Sequence, residues 1–110
     1  MSGPLSKLSG RHRRAIETFL AHVRSALKDV EVYLTGSLAR GDWLEDSDVD
    51  LIVVSDELGH MPPWERYAFL RRLAPADVAF DIIAYTRAEF ECFLAFREWL
   101  QNPDPLVRLL

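Results

Sequence analysis

"TGSLARGDWLEDSDVDLIVV", Thr35 to Val54, is the stretch on which the reading of this chain turns. It crowds Asp42, Glu45, Asp46, Asp48 and Asp50 together, then carries Asp48 and Asp50 into a run of β-forming apolar residues. Like charges this close repel, and a carboxylate beside a core is costly unless something pairs with it. The acids are therefore either a solvated loop or the holders of a cation.

Strand geometry separates the two groups. Successive side chains on a strand point to opposite faces, so Asp48 and Asp50 share one face with Ile52, while Val49, Leu51 and Val53 take the other. Two carboxylates one pleat apart can share a divalent ion. A third acid, Asp81, interrupts "DVAFDIIAYT" between Phe80 and Ile82. A metal held with Asp48 and Asp50 would supply the partner that this acid needs. Ligands that are all oxygen suit Mg²⁺ or Mn²⁺ better than zinc. Asp42, Glu45 and Asp46 read as loop solvation.

The turn upstream completes the set. Gly36 lets the backbone approach a bulky ligand closely. Ser37, read as the N-cap of a single turn in "LARG", offers a hydroxyl and free amides to a phosphate. Arg40 either reaches a phosphate or pairs with Asp42. A phosphate cradle beside a carboxylate cluster is the equipment of phosphoryl or nucleotidyl transfer.

Outward from this stretch, the chain reads as one domain over residues 1–110, with residues 1–9 a loose terminus. Ile16, Phe19, Leu20, Val23 and Leu27 recur at helical spacing and predict an amphipathic helix over about 10–28. Strands are expected at 30–35, 49–55 and 77–86. Pro62 and Pro63 open a helix through Trp64, Tyr67, Leu70 and Leu73 that stops before Pro75. A last helix starts at Thr86, whose spacing to Glu89 fits a capping box, and ends near Leu100 before "NPDP". This order gives an α/β (α+β) fold: a small mixed three-stranded sheet packed by helices.

Composition narrows the classes. The 110 residues are 49% hydrophobic and 27% charged, as in an ordinary globular protein. No apolar run approaches the ~20 residues of a membrane span, and the N-terminus lacks the apolar core of a signal peptide. Cys92 is the single cysteine, so no intrachain disulfide forms; it reads as a core filler. These features point to the cytoplasm. The net charge is −4. Residues 1–28 carry +5 and residues 29–61 carry −8. An acidic chain is poorly suited to grip nucleic acid, and the basic N-terminal stretch reads first as a solvated helix face. His12, His22 and His60 lack ligand spacing and read as surface residues.

Gly36-Ser37, ten intervening residues and then Asp48-Val49-Asp50 resembles the two-part signature of the DNA polymerase beta-like nucleotidyltransferase superfamily. The small size resembles its minimal nucleotidyltransferase branch, the antitoxin-type proteins of HEPN/MNT toxin–antitoxin pairs. The resemblance runs from about Ile16 to Leu100 and implies the polymerase beta-like fold. It implies that Gly36 and Ser37 bind nucleotide phosphates and that Asp48 and Asp50 bind two Mg²⁺ ions. It also implies that Asp81 joins one metal and favours deprotonation of the attacking hydroxyl. The expected reaction moves AMP from ATP to a hydroxyl on a partner, a HEPN-type helical toxin held in a hetero-oligomer. Two alternatives stand beside it. One is a nucleotidyltransferase acting on a small alcohol such as an aminoglycoside, with a helical partner subunit. The other is a non-catalytic antitoxin that inhibits by contact. Phe90, Phe93, Leu94, Phe96, Trp99 and Leu100, followed by "PLVRLL", are more apolar than one buried face needs. They read either as an interface or as a wide core face.

Overall fold

The computed structural model describes residues 3–110. Helix α1 (Gly10–Ala26) is capped by Ser9, whose side chain accepts from the His12 backbone N–H. The helix buries Ala15, Ile16, Phe19 and Val23 against the sheet. It stops two residues short of the expected end, where Leu27 turns extended. Strand β1 (Glu31–Thr35) runs directly into the short helix α2 (Gly36–Arg40). Gly41, at φ +91°, closes α2 in the left-handed conformation that glycine adopts freely.

Strand β2 (Val49–Val54) lies between β1 and strand β3 (Phe80–Tyr85). It is antiparallel to β1 and parallel to β3. The parallel pair needs a crossover, which helix α3 (Pro63–Arg71) supplies. Val49, Leu51 and Val53 enter the main core with α1, Leu58 and Leu70, while Ile52 and Val54 meet Phe90 on the opposite face. Phe90 belongs to helix α4 (Arg87–Trp99), so the sheet is covered by α1 and α3 below and by α4 above.

Several expectations change. The sheet has four strands, in the order β3-β2-β1-β4, because β4 (Val107–Arg108) joins the free edge of β1. The tail "PLVRLL", read as surplus apolar surface, satisfies that edge: the Leu109 N–H donates to Val32 O and the Val32 N–H to Leu110 O. Leu106, Val107, Leu109 and Leu110 pack against the two cores. On α3 the buried positions are Arg66 and Leu70, with Trp64 exposed. Arg66 is held by Met61 O at 2.9 Å and by the Glu89 carboxylate at 2.7 Å, which lets a charged residue occupy an inner helix position. Residues 3–8 form turns that place Leu8 in the core, so the described part of the segment read as loose contributes to packing.

The capping box at the start of α4 is present as expected: the Thr86 side chain accepts from the Glu89 N–H and the Glu89 carboxylate from the Thr86 N–H. Cys92, read as a core filler, is exposed on α4. No helix among the described residues is long and apolar enough to cross a membrane.

Candidate active site

Asp50 and Asp81 are direct partners in the parallel β2/β3 register. Partner residues on neighbouring strands share a face about 4.8 Å apart, so the two carboxylates are lateral neighbours. Strand alternation explains why they escape the core: Phe80 and Ile82 face inward, and Asp81 and Ile83 stay exposed. Asp48 is also exposed, one residue before β2 begins. Its position therefore depends on the loop that carries it and not on the sheet ladder.

Burial raises the Asp50 carboxyl above its usual range, and the charges of Asp81 and Asp48 raise it further; Arg40 opposes them. The charges of the other two acids are thus felt at Asp50. Among the described residues, no group of three or more His, Cys, Asp and Glu stands in a geometry that could hold a metal ion. The expected convergence of Asp48, Asp50 and Asp81 on one such position is therefore not found in this arrangement. Mutual repulsion, which adds to the effect of burial on Asp50, works against their closer approach.

Gly36 is fixed by two independent constraints. Its φ is +69°, and a Cβ built on it would overlap Asp50 Oδ2 and lie 2.9 Å from Asp50 Cγ. The turn after β1 is thus packed against the acid of β2, and only a residue without a side chain fits there. Ser37 is the second residue of α2, not its N-cap; that position belongs to Thr35. Thr35 makes no side-chain cap bond, so the first turn of α2 keeps its N–H groups free of a side-chain partner. Arg40 lies 3.3 Å from Asp42 Oδ2 and 3.7 Å from Asp104 Oδ2. Of its two readings, pairing with Asp42 is the one seen here, and the segment before β4 adds a second carboxylate. Asp42, Glu45 and Asp46 are exposed, consistent with loop solvation.

Reading the histidines as surface residues missed His12, which is fully buried beneath the loop that presents Asp48. Its ring Nε2 lies 2.9 Å from Ser47 O. The signal was in the periodicity: His12, Ile16, Phe19 and Val23 form one helical stripe.

A family described as nucleotidyltransferase domain matches residues 16–102. A solved structure from Sulfolobus solfataricus, described as a presumptive nucleotidyltransferase, superposes with a TM-score of 0.58 at 25% identity. That match covers 80% of this chain and 84% of the other. A second presumptive nucleotidyltransferase superposes at 0.55 with 22% identity, covering 93% of this chain and 100% of that one. This second likeness is one of fold alone. No curated protein sequence matches the chain.

Proposed function

Because the chain belongs to the nucleotidyltransferase domain family, we propose that it transfers AMP from ATP to a hydroxyl on a partner protein, as the antitoxin of a HEPN-type helical toxin. The observation that carries the catalytic part is the lateral Asp50–Asp81 pair, with Asp48 two residues upstream and Gly36 packed against Asp50. The donors are all carboxylate oxygens, and repulsion among them makes a cation welcome, so the set suits a hard divalent ion such as Mg²⁺. Once a cation offsets their repulsion and draws them together, Asp48, Asp50 and Asp81 would hold such ions, which when bound would neutralise polyphosphate charge.

The chain's own residues do the rest. Gly36 gives the phosphates close access to the backbone, and Ser37 donates its hydroxyl to a phosphate oxygen. Arg40, with a side chain two-fifths exposed, can exchange Asp42 and Asp104 for phosphate. Asp81 takes the proton of the acceptor hydroxyl as its oxygen bonds to the α-phosphorus and pyrophosphate leaves. The partner part of the reading is supported by Leu94, Phe96, Trp99 and Leu100, which remain exposed on and just after α4, with Phe96 and Trp99 stacked at 6.0 Å. Exposed apolar side chains gathered in this way favour a protein interface.

The test is to incubate the purified chain with labelled ATP, Mg²⁺ and a co-expressed helical partner, then resolve the proteins on a gel. The reading requires Mg²⁺-dependent label on a partner tyrosine, serine or threonine. Label on an aminoglycoside or another small alcohol instead would make the chain a small-molecule nucleotidyltransferase. If an Asp48→Asn/Asp50→Asn double variant suppresses the partner's toxicity as well as wild type, with no label transferred, the chain acts by binding alone.

A further inference from the structure

Asp50 and Asp81 are held by paired strands, but Asp48 precedes β2 and must be held by its loop. That loop has a specific anchor. The fully buried His12 places Nε2 2.9 Å from the carbonyl oxygen of Ser47, the residue before Asp48. A carbonyl only accepts, so Nε2 carries the proton. Nδ1 then accepts from the Ser9 hydroxyl at 3.1 Å, and Ser9 Oγ accepts from the His12 N–H at 3.2 Å. Trp43 stands edge-on to the imidazole, with ring centroids 5.6 Å apart.

The loop is cross-braced around this bond. Ser47 Oγ accepts from the Leu44 N–H at 2.8 Å, and the Ser47 N–H donates to Leu44 O at 3.0 Å. Arg11, next to His12, donates to Glu45 O and to Asp77 O, joining the loop before β2 to the one before β3.

We propose that His12 is a positioning residue for the nucleotidyl-transfer site, its Nε2–H bond to Ser47 O fixing the peptide that carries Asp48. This role rests on the functional reading above, because it matters only if Asp48 holds a cation. A partner that orients a ligand-bearing residue from behind typically changes metal affinity roughly 10- to 100-fold when removed. Two substitutions of matched polarity separate positioning from packing. In His12→Gln the amide nitrogen reaches the place of Nε2; in His12→Asn it reaches only that of Nδ1.

The experiment measures Mn²⁺ uptake by electron paramagnetic resonance and amide hydrogen exchange in peptides spanning residues 43–49, with thermal melts to check folding. His12→Asn should weaken Mn²⁺ uptake roughly 10- to 100-fold and speed loop exchange, while His12→Gln should return both toward wild type. Equal behaviour of the two variants, or unchanged uptake in His12→Asn, overturns the role. Should His12→Asn fail to fold, Ser9→Ala, which frees the imidazole on its other side, must shift loop exchange in the same direction by a smaller amount; no shift overturns the role. If wild-type Mn²⁺ uptake does not depend on Asp50, the functional reading falls and this role with it. If it depends on Asp50 but not on His12, only the role falls.

Discussion

A methyl group on Gly36 would collide with the Asp50 carboxylate, and the φ of +69° would itself be strained for any L-residue. Gly36→Ala should therefore cost about 2–5 kcal/mol, combining roughly 1–2 for the left-handed backbone with roughly 1–3 for overpacking. Denaturant midpoints would measure it. Asp50 makes a complementary prediction. Its carboxyl is raised above its ordinary value of 3.8, chiefly by burial. A raised acid penalises the folded state once it ionises, so stability is lost as pH rises through the folded-state pKa. Asp50→Asn should then raise the melting temperature at neutral pH without divalent ions, an advantage that fades as pH falls through the folded-state pKa and is gone below 3.8. The same change should abolish transfer. A variant melting below wild type at neutral pH would show that Asp50 is paired, not penalised. Ser37→Ala should be milder. Losing one charge-assisted hydrogen bond of about 1.5–3 kcal/mol lowers kcat/KM for the nucleotide roughly 10- to 150-fold.

Helix α4 depends on the double use of Glu89. Its carboxylate closes the capping box on the Thr86 N–H and also accepts from Arg66, whose side chain is 7% exposed. Thr86→Ala removes one cap bond and should cost about 1 kcal/mol. Glu89→Ala should cost more, about 3 kcal/mol, because a buried guanidinium is left without its counter-charge. Urea titrations of the two variants would rank them, and equal costs would mean that Arg66 finds water instead. The Thr86 backbone bond and Arg66 hold the Glu89 carboxyl below its usual 4.5. A depressed acid stabilises the fold in full above its unfolded value and loses that contribution as pH falls through the folded one. Wild type should therefore lose stability below pH 4.5 more steeply than Glu89→Gln does. Glu31, lowered mainly by its bond to Arg87, adds to the loss in both proteins.

Among the described residues, the buried apolar side chains form two cores, and a group of exposed ones gathers at the end of α4. The tail after α4 is used in the sheet, which leaves Phe96, Trp99 and Leu100 facing solvent. Trp99 is 76% exposed, so Trp99→Ser should change stability by no more than ~0.5 kcal/mol. Under the proposed function, the same change should weaken capture of a helical partner in a pull-down. A large loss of stability would mean that this surface supports the fold.

Local chemistry determined much of this protein by itself. The alternation of "VDLIVV" placed Asp50 opposite Val49 and Leu51, and the apolar neighbours of Asp81 marked it as an acid in need of a partner. The Thr86–Glu89 spacing wrote the capping box, because a helix start is set within four residues. Each of these features depends on near neighbours in the chain. What the sequence left open depends on distant ones. The edge of β1 is closed by a tail 75 or so residues away, and two pairing residues carry little period-two signal. Arg66 is buried only where Glu89 and the Met61 carbonyl meet it. His12 shared the stripe of Ile16 and Phe19, but only the packed loop supplied the carbonyl that makes a buried imidazole tolerable. Burial and hydrogen-bond satisfaction are properties of the assembled fold, so tertiary structure alone decided which polar residues went inside.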